Sequence, residues 1–468
     1  MIPGFDPIES NSSGRPYFQS AAALAKRKES LDGQQCSFNY YYTHRHSILW
    51  AGKIPLPITA MLAAILMGIS GIIPLSDVCS GFASSNLMMV AGMIVIGNSI
   101  FETGLASWLG LRLTKSFITR NERGFLFAIM IFSSALSAFL SNSAVVAVCI
   151  PIVGSIVLKA NGRIVNKHII MGVGMAAAMG GACTLVGSTA QLAAQQVLVS
   201  TPGCRPMEFF ELGKVCAPLC ILLAIYFSTI GYNLQKEYFT FPDVNVLALS
   251  SISSQEPKEQ TLENGGQFHY RMVISGLVLC FCVVGFISGL WDVSTIALTG
   301  AAIVIVTGCI SFRTAMATMD WNTIVLLGFV QGLAEGLDAS GGGRLIADFI
   351  LGVFGGENAS PIVLLIVGIL ISTVLTNFMS NTAVLAMITP IFINIGFAVG
   401  IHPEVFILGC VIGGSTALAT PIGTPCVTQT LVAGYRFKDY VWVGLPITVI
   451  LTLVTCLLCP VMYGFHPI

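Results

Sequence analysis

Charge is scarce in this chain. Only 9% of its 468 residues are Asp, Glu, Lys or Arg, whereas a soluble domain has roughly 25%. The 22 basic and 22 acidic residues cancel, and we expect no nucleic-acid partner, because such a partner needs a basic surface. The rest of the chain is 55% hydrophobic, with a mean hydropathy of +0.84. Apolar runs of membrane-spanning length follow one another from position 54 onward, which predicts an all-α polytopic membrane protein.

Intramembrane carboxylates are also missing from two long regions. No Asp or Glu lies between Gly124 and Thr201, or between Ser360 and Pro403. Proton-coupled carriers usually relay protons through intramembrane carboxylates or histidines. In a carrier, the absence of such carboxylates favours coupling to Na⁺ over coupling to H⁺. His168 and His402 lie at loop edges, where we expect them to be solvated.

Catalytic patterns are missing as well. The chain has no HExxH or GxSxG motif, and no His or Asp lies near Ser141 in sequence. A membrane-embedded hydrolase needs a nucleophile with an adjacent base. The sequence therefore predicts a protein that is not an enzyme.

Two apolar runs, 125–158 and 361–400, are too long for one span and too short for two spans joined by a loop. Each has a Ser-Asn motif near its middle: SNSAVVAVCIPI begins at Ser141, and SNTAVLAMITPI begins at Ser380. This length predicts a re-entrant helical hairpin at about 124–160 and another at about 361–400.

Two further runs, 169–198 and 405–434, are interrupted by small residues. The interruptions read GGACTLVGSTAQ (Gly180–Gln191) and GGSTALATPIGTPCVTQ (Gly413–Gln429). Segments rich in Gly, Pro and Thr inside an apolar run are typical of discontinuous membrane helices. We therefore predict one broken helix after each hairpin.

The two halves of the chain repeat one another. When Ser141 is aligned with Ser380, several other residues pair: Ser137 with Thr376, Asn142 with Asn381, Ser143 with Thr382, Pro151 with Pro390, Gly180-Gly181 with Gly413-Gly414, and Gly187 with Gly423. This order predicts a first membrane repeat at 51–233 and a second at 271–468. A polar tail (1–50) precedes the first repeat, and a polar linker (234–270) joins the two. The apolar run 272–290 has no partner in the first half, so we expect the first repeat to be one helix short.

Basic residues predict the orientation of the hairpins. Lys and Arg flank the first hairpin on both sides, which places both flanks in the cytoplasm; these residues are Arg112, Lys115, Arg120, Arg123, Lys159, Arg163 and Lys167. The second hairpin has only Arg344 before it and no Lys or Arg shortly after it, so it opens outward. The repeats are thus predicted to be inverted, with a cytoplasmic N-terminus and a cytoplasmic linker. Inverted repeats with broken helices are typical of alternating-access transporters rather than of passive channels.

Each hairpin tip offers hydroxyls, an Asn carboxamide and backbone groups that the turn frees. Carbonyl and hydroxyl oxygens suit a hard cation such as Na⁺, and N–H groups at helix N-termini suit an anion. The Asn amide serves both, because its oxygen accepts and its NH₂ group donates. The alternative is that these polar residues only join helices by hydrogen bonds. Two motifs with matched flanks favour a site.

These motifs resemble those of the divalent anion/sodium symporters, the dicarboxylate, citrate and sulfate carriers of a larger ion-transporter superfamily. The resemblance covers about residues 52–463, including GKIPLPITA (Gly52–Ala60). It implies Na⁺-coupled symport of a small di- or tricarboxylate across the plasma or inner membrane. It also implies a homodimer and an elevator motion of a transport domain against a scaffold. The alternatives are another anion, such as sulfate or tartrate, and an Na⁺/H⁺ or arsenite-type exchanger of the same superfamily.

The resemblance also implies the site residues. One Na⁺ site would use Ser137, Ser141, Asn142 and the loop at Gly187. The other Na⁺ site would use Thr376, Asn381, the carbonyl of Met379 and the loop at Gly423. The anion would contact Ser141, Asn142, Ser143, Ser380, Asn381, Thr382 and Thr424.

The chain departs from the family pattern at the tips and breaks. Ser143 stands where the family usually has Thr. The first break reads GSTAQ (Gly187–Gln191) where the family tends toward GTPPN, and the second reads GTPCV (Gly423–Val427). These changes leave the identity of the anion open.

Overall fold

The structure is a computed structural model that describes residues 55–113, 121–160, 163–244, 270–288, 290–354 and 359–468. The predicted tail, 1–50, and most of the predicted linker lie outside these residues. Within the described residues the fold is helical, with one isolated antiparallel bridge between Ile401 and Pro467. The prediction of an all-α protein is confirmed.

The first half contains nine α-helices among its described residues. They are α1 (Leu56–Ile69), α2 (Ser85–Glu102), α3 (Leu105–Leu113), α4 (Glu122–Ser137), α5 (Asn142–Lys159), α6 (Asn166–Gly181), α7 (Thr189–Ser200), α8 (Gly213–Ser228) and α9 (Ile230–Tyr238). A 3-10 helix, Asp77–Ala83, lies between α1 and α2. Helix α9 extends into the range predicted as linker.

The second half contains ten α-helices among its described residues. They are α10 (Tyr270–Ser288), α11 (Val293–Val306), α12 (Phe312–Ala317), α13 (Trp321–Ala339), α14 (Gly342–Phe354), α15 (Pro361–Thr376), α16 (Asn381–Ala398), α17 (Glu404–Ser415), α18 (Pro425–Gln429) and α19 (Phe437–Tyr463). A 3-10 turn, Thr430–Ala433, follows α18.

Both predicted hairpins are present, as α4–α5 and α15–α16. Each turns at its Ser-Asn motif, because Ser141 and Ser380 have extended backbones with ψ of 127° and 135°. An extended residue cannot continue a helix and instead takes the N-cap position of the next one. The hairpin turn is therefore encoded at the motif itself.

Both predicted broken helices are also present. Helix α6 ends at Gly181 and the chain resumes as α7 at Thr189; α17 ends at Ser415 and the chain resumes as α18. Pro425 opens α18 at a first-turn position, where its missing N–H costs nothing. The broken ends therefore lie at the Gly- and Pro-rich segments that the sequence marks.

The halves pack reciprocally. Helix α7 packs on α16 while α18 packs on α5, and α4 packs on α6 while α15 packs on α17. Two further contacts across the halves follow the same pattern: α1 packs on α13, and α2 packs on α11. Reciprocal packing places the two hairpins and the two breaks in matching environments. Helix α10 has no counterpart among the described helices of the first half.

Glycines allow the closest helix contacts. A Cβ at Gly180 would lie 2.3 Å from the Ser134 carbonyl oxygen, and one at Gly413 would lie 2.7 Å from the Ile369 carbonyl oxygen. Small residues that let helix backbones approach are the usual interface of membrane helices. Gly180 and Gly413 therefore seat each broken helix against the first arm of its hairpin.

Four described helices are long and apolar enough to cross a membrane, or up to six if two bent pairs count as spans. The four are Ser85–Glu102, Tyr270–Ser288, Asn381–Ala398 and Phe437–Tyr463. Helix α10 exposes a one-sided apolar stripe, which consists of Val273, Leu277, Phe281, Val284 and Ile287. An exposed stripe with this spacing suits contact with lipid rather than with water.

Candidate functional site

The first hairpin tip brings together three of its predicted residues. The Asn142 amide faces Ser137 Oγ at 2.6 Å, the Gly187 carbonyl oxygen at 3.0 Å and the Ala177 carbonyl oxygen at 3.3 Å. As a hydrogen-bonding group, the amide satisfies these acceptors by turning its NH₂ group toward them. When the amide is turned the other way, Asn142 Oδ1 faces Ser137 Oγ and the carbonyl oxygens of Gly187 and Ala177. These four oxygens then form one cluster. Sequence reasoning missed the Ala177 carbonyl, because backbone oxygens leave no residue-type signal.

The second hairpin tip has the corresponding residues, but its side-chain oxygens are not bonded in the same way. Thr376 Oγ1 and Asn381 Oδ1 are both buried and have no hydrogen-bond partner among the residues that the structure describes. The backbone N–H of Asn381 donates to the Gly423 carbonyl oxygen at 3.1 Å. Leaving a buried acceptor unpaired costs about 1–3 kcal/mol. Two such oxygens at one tip therefore point to a ligand that offers them positive charge.

Glycines hold each Asn amide against the broken helix. A Cβ at Gly181 would lie 2.1 Å from Asn142 Oδ1, and a Cβ at Gly414 would lie 2.5 Å from Asn381 Oδ1. These two glycines are paired in the repeat alignment. Only a residue without a side chain leaves room for the amide at each position. Sequence reasoning found the Gly-Gly pairs but not this role.

The predicted anion contacts surround the same tips. Ser141 and Ser380 are exposed N-caps of α5 and α16, and neither side chain caps its own helix. Ser143 is half-buried, while Thr382 and Thr424 are buried. The serine side chains therefore leave the N–H groups in the first turns of α5 and α16 uncapped, apart from the Asn381 backbone N–H that bonds Gly423, and such N–H groups can receive an anion.

Met379 was predicted to supply a carbonyl. It lies at the tip of the second hairpin, where its N–H donates to the Leu375 carbonyl oxygen at 2.9 Å and its side chain is 42% exposed. Its role as a ligand stays a prediction.

A contact between two hydroxyls joins the two halves at the tips. Thr189 Oγ1, at the start of α7, lies 2.8 Å from Thr382 Oγ1 at the start of α16. Thr189 was not among the predicted site residues. The altered GSTAQ break was a signal for it, but its partner depends on how the two halves pack.

A buried ionisable cluster lies away from the tips, at the start of α4 and α6. His168 is 7% exposed, with Nδ1 3.1 Å from Glu122 Oε1. Glu122 also accepts from the Val165 N–H at 3.0 Å and from the Tyr232 hydroxyl. The prediction that His168 is solvated is therefore wrong, because α4, α6 and α9 enclose it at this end. His402, with a side chain 43% exposed, is solvated as predicted.

A second ionisable cluster lies in the segment between α7 and α8. Arg205 Nη2 donates to Glu211 Oε1 at 2.5 Å, and the Arg205 N–H donates to Glu404 Oε1 at 2.5 Å. Burial lowers the pKa of the Arg205 guanidinium, but Glu211 raises it by hydrogen bond and charge, and the net pKa is raised. Both carboxylates are thus bonded to Arg205 in this cluster.

Two helical hairpins, two broken helices and paired polar tips in an apolar bundle are the features of a multi-pass membrane transporter. The citrate transporter model, CitMHS, matches residues 47–413, and the chain belongs to that family. This agrees with the resemblance to the divalent anion/sodium symporters.

Similar proteins are also transporters. An uncharacterized transporter of Methanocaldococcus jannaschii is 24% identical over 408 residues, which cover 86% of this chain and 88% of that protein. The sodium-dependent dicarboxylate transporter SdcS of Staphylococcus aureus is 22% identical over 456 residues, which cover 88% and 83%. The prediction that the chain is not an enzyme is confirmed.

Solved transporter structures share the fold. The Alcanivorax borkumensis YdaH transporter matches with a TM-score of 0.59 at 17% identity, over 86% of this chain and 89% of that one. Neisseria gonorrhoeae MtrF matches with a TM-score of 0.56 at 16% identity, over 87% and 95%. At this identity the likeness concerns the fold alone.

Proposed function

We propose that this protein is a secondary active transporter that couples Na⁺ to the symport of a small di- or tricarboxylate. The observation that carries the proposal is the repeated placement of Asn142 and Asn381. Each lies at a hairpin tip, and each is held against a glycine of a broken helix. The printed name of SdcS, a sodium-dependent dicarboxylate transporter, supports the same function at a distance.

The coupling ions bind at the two tips. In the first site, Ser137, Ser141, Asn142 and the Gly187 carbonyl supply oxygens. In the second, Thr376, Asn381, the Met379 carbonyl and the Gly423 loop supply them. The unpaired oxygens of Thr376 and Asn381 fit a hard cation, because such a cation needs several oxygens to replace its water.

The anion binds between the tips. Its carboxylates contact the first turns of α5 and α16 through Ser141, Asn142, Ser143, Ser380, Asn381 and Thr382, together with Thr424. The partial positive charge of a helix N-terminus favours an anion at both ends.

The neutrality of the tips explains coupling. Neither hairpin nor the broken helix α6–α7 contains an Asp or Glu near its tip, so no fixed negative charge balances a bound cation. In a low-dielectric site a cation and an anion bind together more favourably than either alone. Na⁺ therefore recruits the anion, and the anion recruits Na⁺.

The remaining parts of the proposal concern the whole transporter. It works as a homodimer in the plasma or inner membrane, with a cytoplasmic N-terminus and an elevator motion of the hairpins and broken helices. The alternatives are sulfate, tartrate or an exchanger of the same superfamily. An exchanger needs a midplane carboxylate, and the hairpins carry none.

Uptake into proteoliposomes tests the proposal. Labelled succinate is offered with and without an inward Na⁺ gradient, and unlabelled citrate, malate, tartrate and sulfate are added as competitors. The proposal predicts uptake that needs Na⁺ and that carboxylates inhibit more strongly than sulfate. Uptake driven equally by K⁺, or inhibition by sulfate alone, contradicts it.

A further inference from the structure

The contact between Thr189 and Thr382 crosses from one half of the chain to the other. Their hydroxyl oxygens lie 2.8 Å apart. Thr382 is only 8% exposed, and Thr189 is half-buried. Because Thr382 belongs to the proposed anion site, Thr189 places a second hydroxyl beside the anion.

The other side of the site has no such pair. In the repeat alignment Ser143 corresponds to Thr382, and the pairing of Gly187 with Gly423 sets Thr189 opposite Pro425. Proline has no hydroxyl. On the other side of the site, Ser143 is therefore the one hydroxyl that corresponds to the Thr189–Thr382 pair. The two sides of the site therefore differ by one hydroxyl. Such a site suits an anion whose two ends are not alike, or whose centre carries a further polar group.

The pair has hydrogen-bonding capacity to spare. Two hydroxyls that bond one another use one O–H, which leaves a second O–H and several lone pairs. A carboxylate can only accept, whereas a hydroxyl both accepts and donates. A substrate hydroxyl can therefore accept from the spare O–H of the pair and also donate to one of its lone pairs.

On the basis of the proposed function, we infer that Thr189, together with Thr382, recognises a hydroxyl on the carbon backbone of the transported anion. Thr189 is then a specificity-determining residue that sets the preference for a hydroxycarboxylate over a plain dicarboxylate. We expect the preference for an anion with a hydroxyl to be moderate, because the two threonine hydroxyls remain hydrogen-bonded to one another when the substrate has none. One neutral hydrogen bond corresponds to roughly a 3- to 10-fold preference.

Malate and succinate differ by this one hydroxyl and provide the test. The ratio of their kcat/KM values for Na⁺-driven uptake is measured in proteoliposomes for the natural chain, Thr189→Val, Thr189→Ser and Thr455→Val. Thr455 is a matched control, because its buried hydroxyl bonds the Leu451 carbonyl within α19 and no other described residue.

The inference predicts that the natural chain favours malate by roughly 3- to 10-fold. Thr189→Val brings the ratio close to one through a change in KM, while Thr189→Ser and Thr455→Val keep the preference. No preference in the natural chain, or an equal loss for both anions in Thr189→Val, overturns the inference while Na⁺-driven succinate uptake still supports the proposed function. Absence of Na⁺-driven uptake of either anion overturns both.

Discussion

At the scale of single residues, the site depends on two amides that glycines accommodate. Gly181 leaves space for the Asn142 amide, and Gly414 leaves space for Asn381. In each case the nearest group is the end of a short side chain rather than backbone. A methyl group at either glycine therefore displaces an Asn amide, which is a proposed ion ligand, rather than the backbone.

Gly181→Ala is expected to lower the apparent affinity for Na⁺ by roughly 10- to 100-fold, the usual effect of losing a group that orients an ion ligand. Thermal stability in detergent should change little, because the amide can rotate away. The measurement is succinate uptake as a function of Na⁺ concentration. Gly352→Ala is the matched control, because a Cβ at Gly352 in α14 meets nothing within 4 Å. An unchanged apparent Na⁺ affinity in Gly181→Ala would contradict the assignment of Asn142 as a ligand of Na⁺.

At the scale of elements, the first broken helix is fixed at both ends. Its break meets the hairpin tip, and its N-terminus is capped by Asp243, which follows α9. The Asp243 carboxylate accepts from the N–H groups of Asn166 at 3.1 Å and Lys167 at 2.9 Å. A carboxylate at a helix N-terminus both caps it and complements its dipole.

Asp243→Ala is expected to lower the free energy of unfolding by about 1–2 kcal/mol. Na⁺ affinity should stay unchanged, because this cap lies at the end of α6 opposite the tip. The measurement is denaturation of the detergent-solubilised protein. Glu208→Ala removes an exposed carboxylate, whose side chain is 70% exposed, and serves as the control. Equal stability of the two variants would show that the cap contributes nothing.

The sequence predicted the hairpins and breaks because their signals are local. Run length, the Ser-Asn motifs and the Gly-Gly pairs each act within one segment. The short helices α3, α12 and α14 were not predicted, because they lack the length of an apolar span. The burial of His168 and the contact of Thr189 with Thr382 depend on packing between distant segments, which a single sequence does not display.

At the scale of the whole molecule, the repeat provides two similar hairpin tips, which are the two proposed cation sites. In the proposal both tips contribute to one anion site, so the occupancies of the two cation sites are coupled through the anion. Coupled binding at two sites produces a sigmoidal dependence of rate on Na⁺.

Uptake by the natural chain is therefore expected to depend on Na⁺ with a Hill coefficient above one. Asn142→Ala and Asn381→Ala should each abolish concentrative uptake, since each removes one ion's ligand while the fold persists. The readout is initial succinate uptake against Na⁺ concentration, with size-exclusion profiles to verify folding. If both variants transport normally, the polar tips only join helices.

Reciprocal flux tests the central claim most directly. Proteoliposomes containing the natural chain or Asn142→Ala receive ²²Na⁺ with and without external succinate, malate or citrate, in the absence of any Na⁺ gradient. The account predicts that an inward carboxylate gradient drives ²²Na⁺ inward with the natural chain and not with Asn142→Ala. Carboxylate uptake that moves no ²²Na⁺ would contradict it.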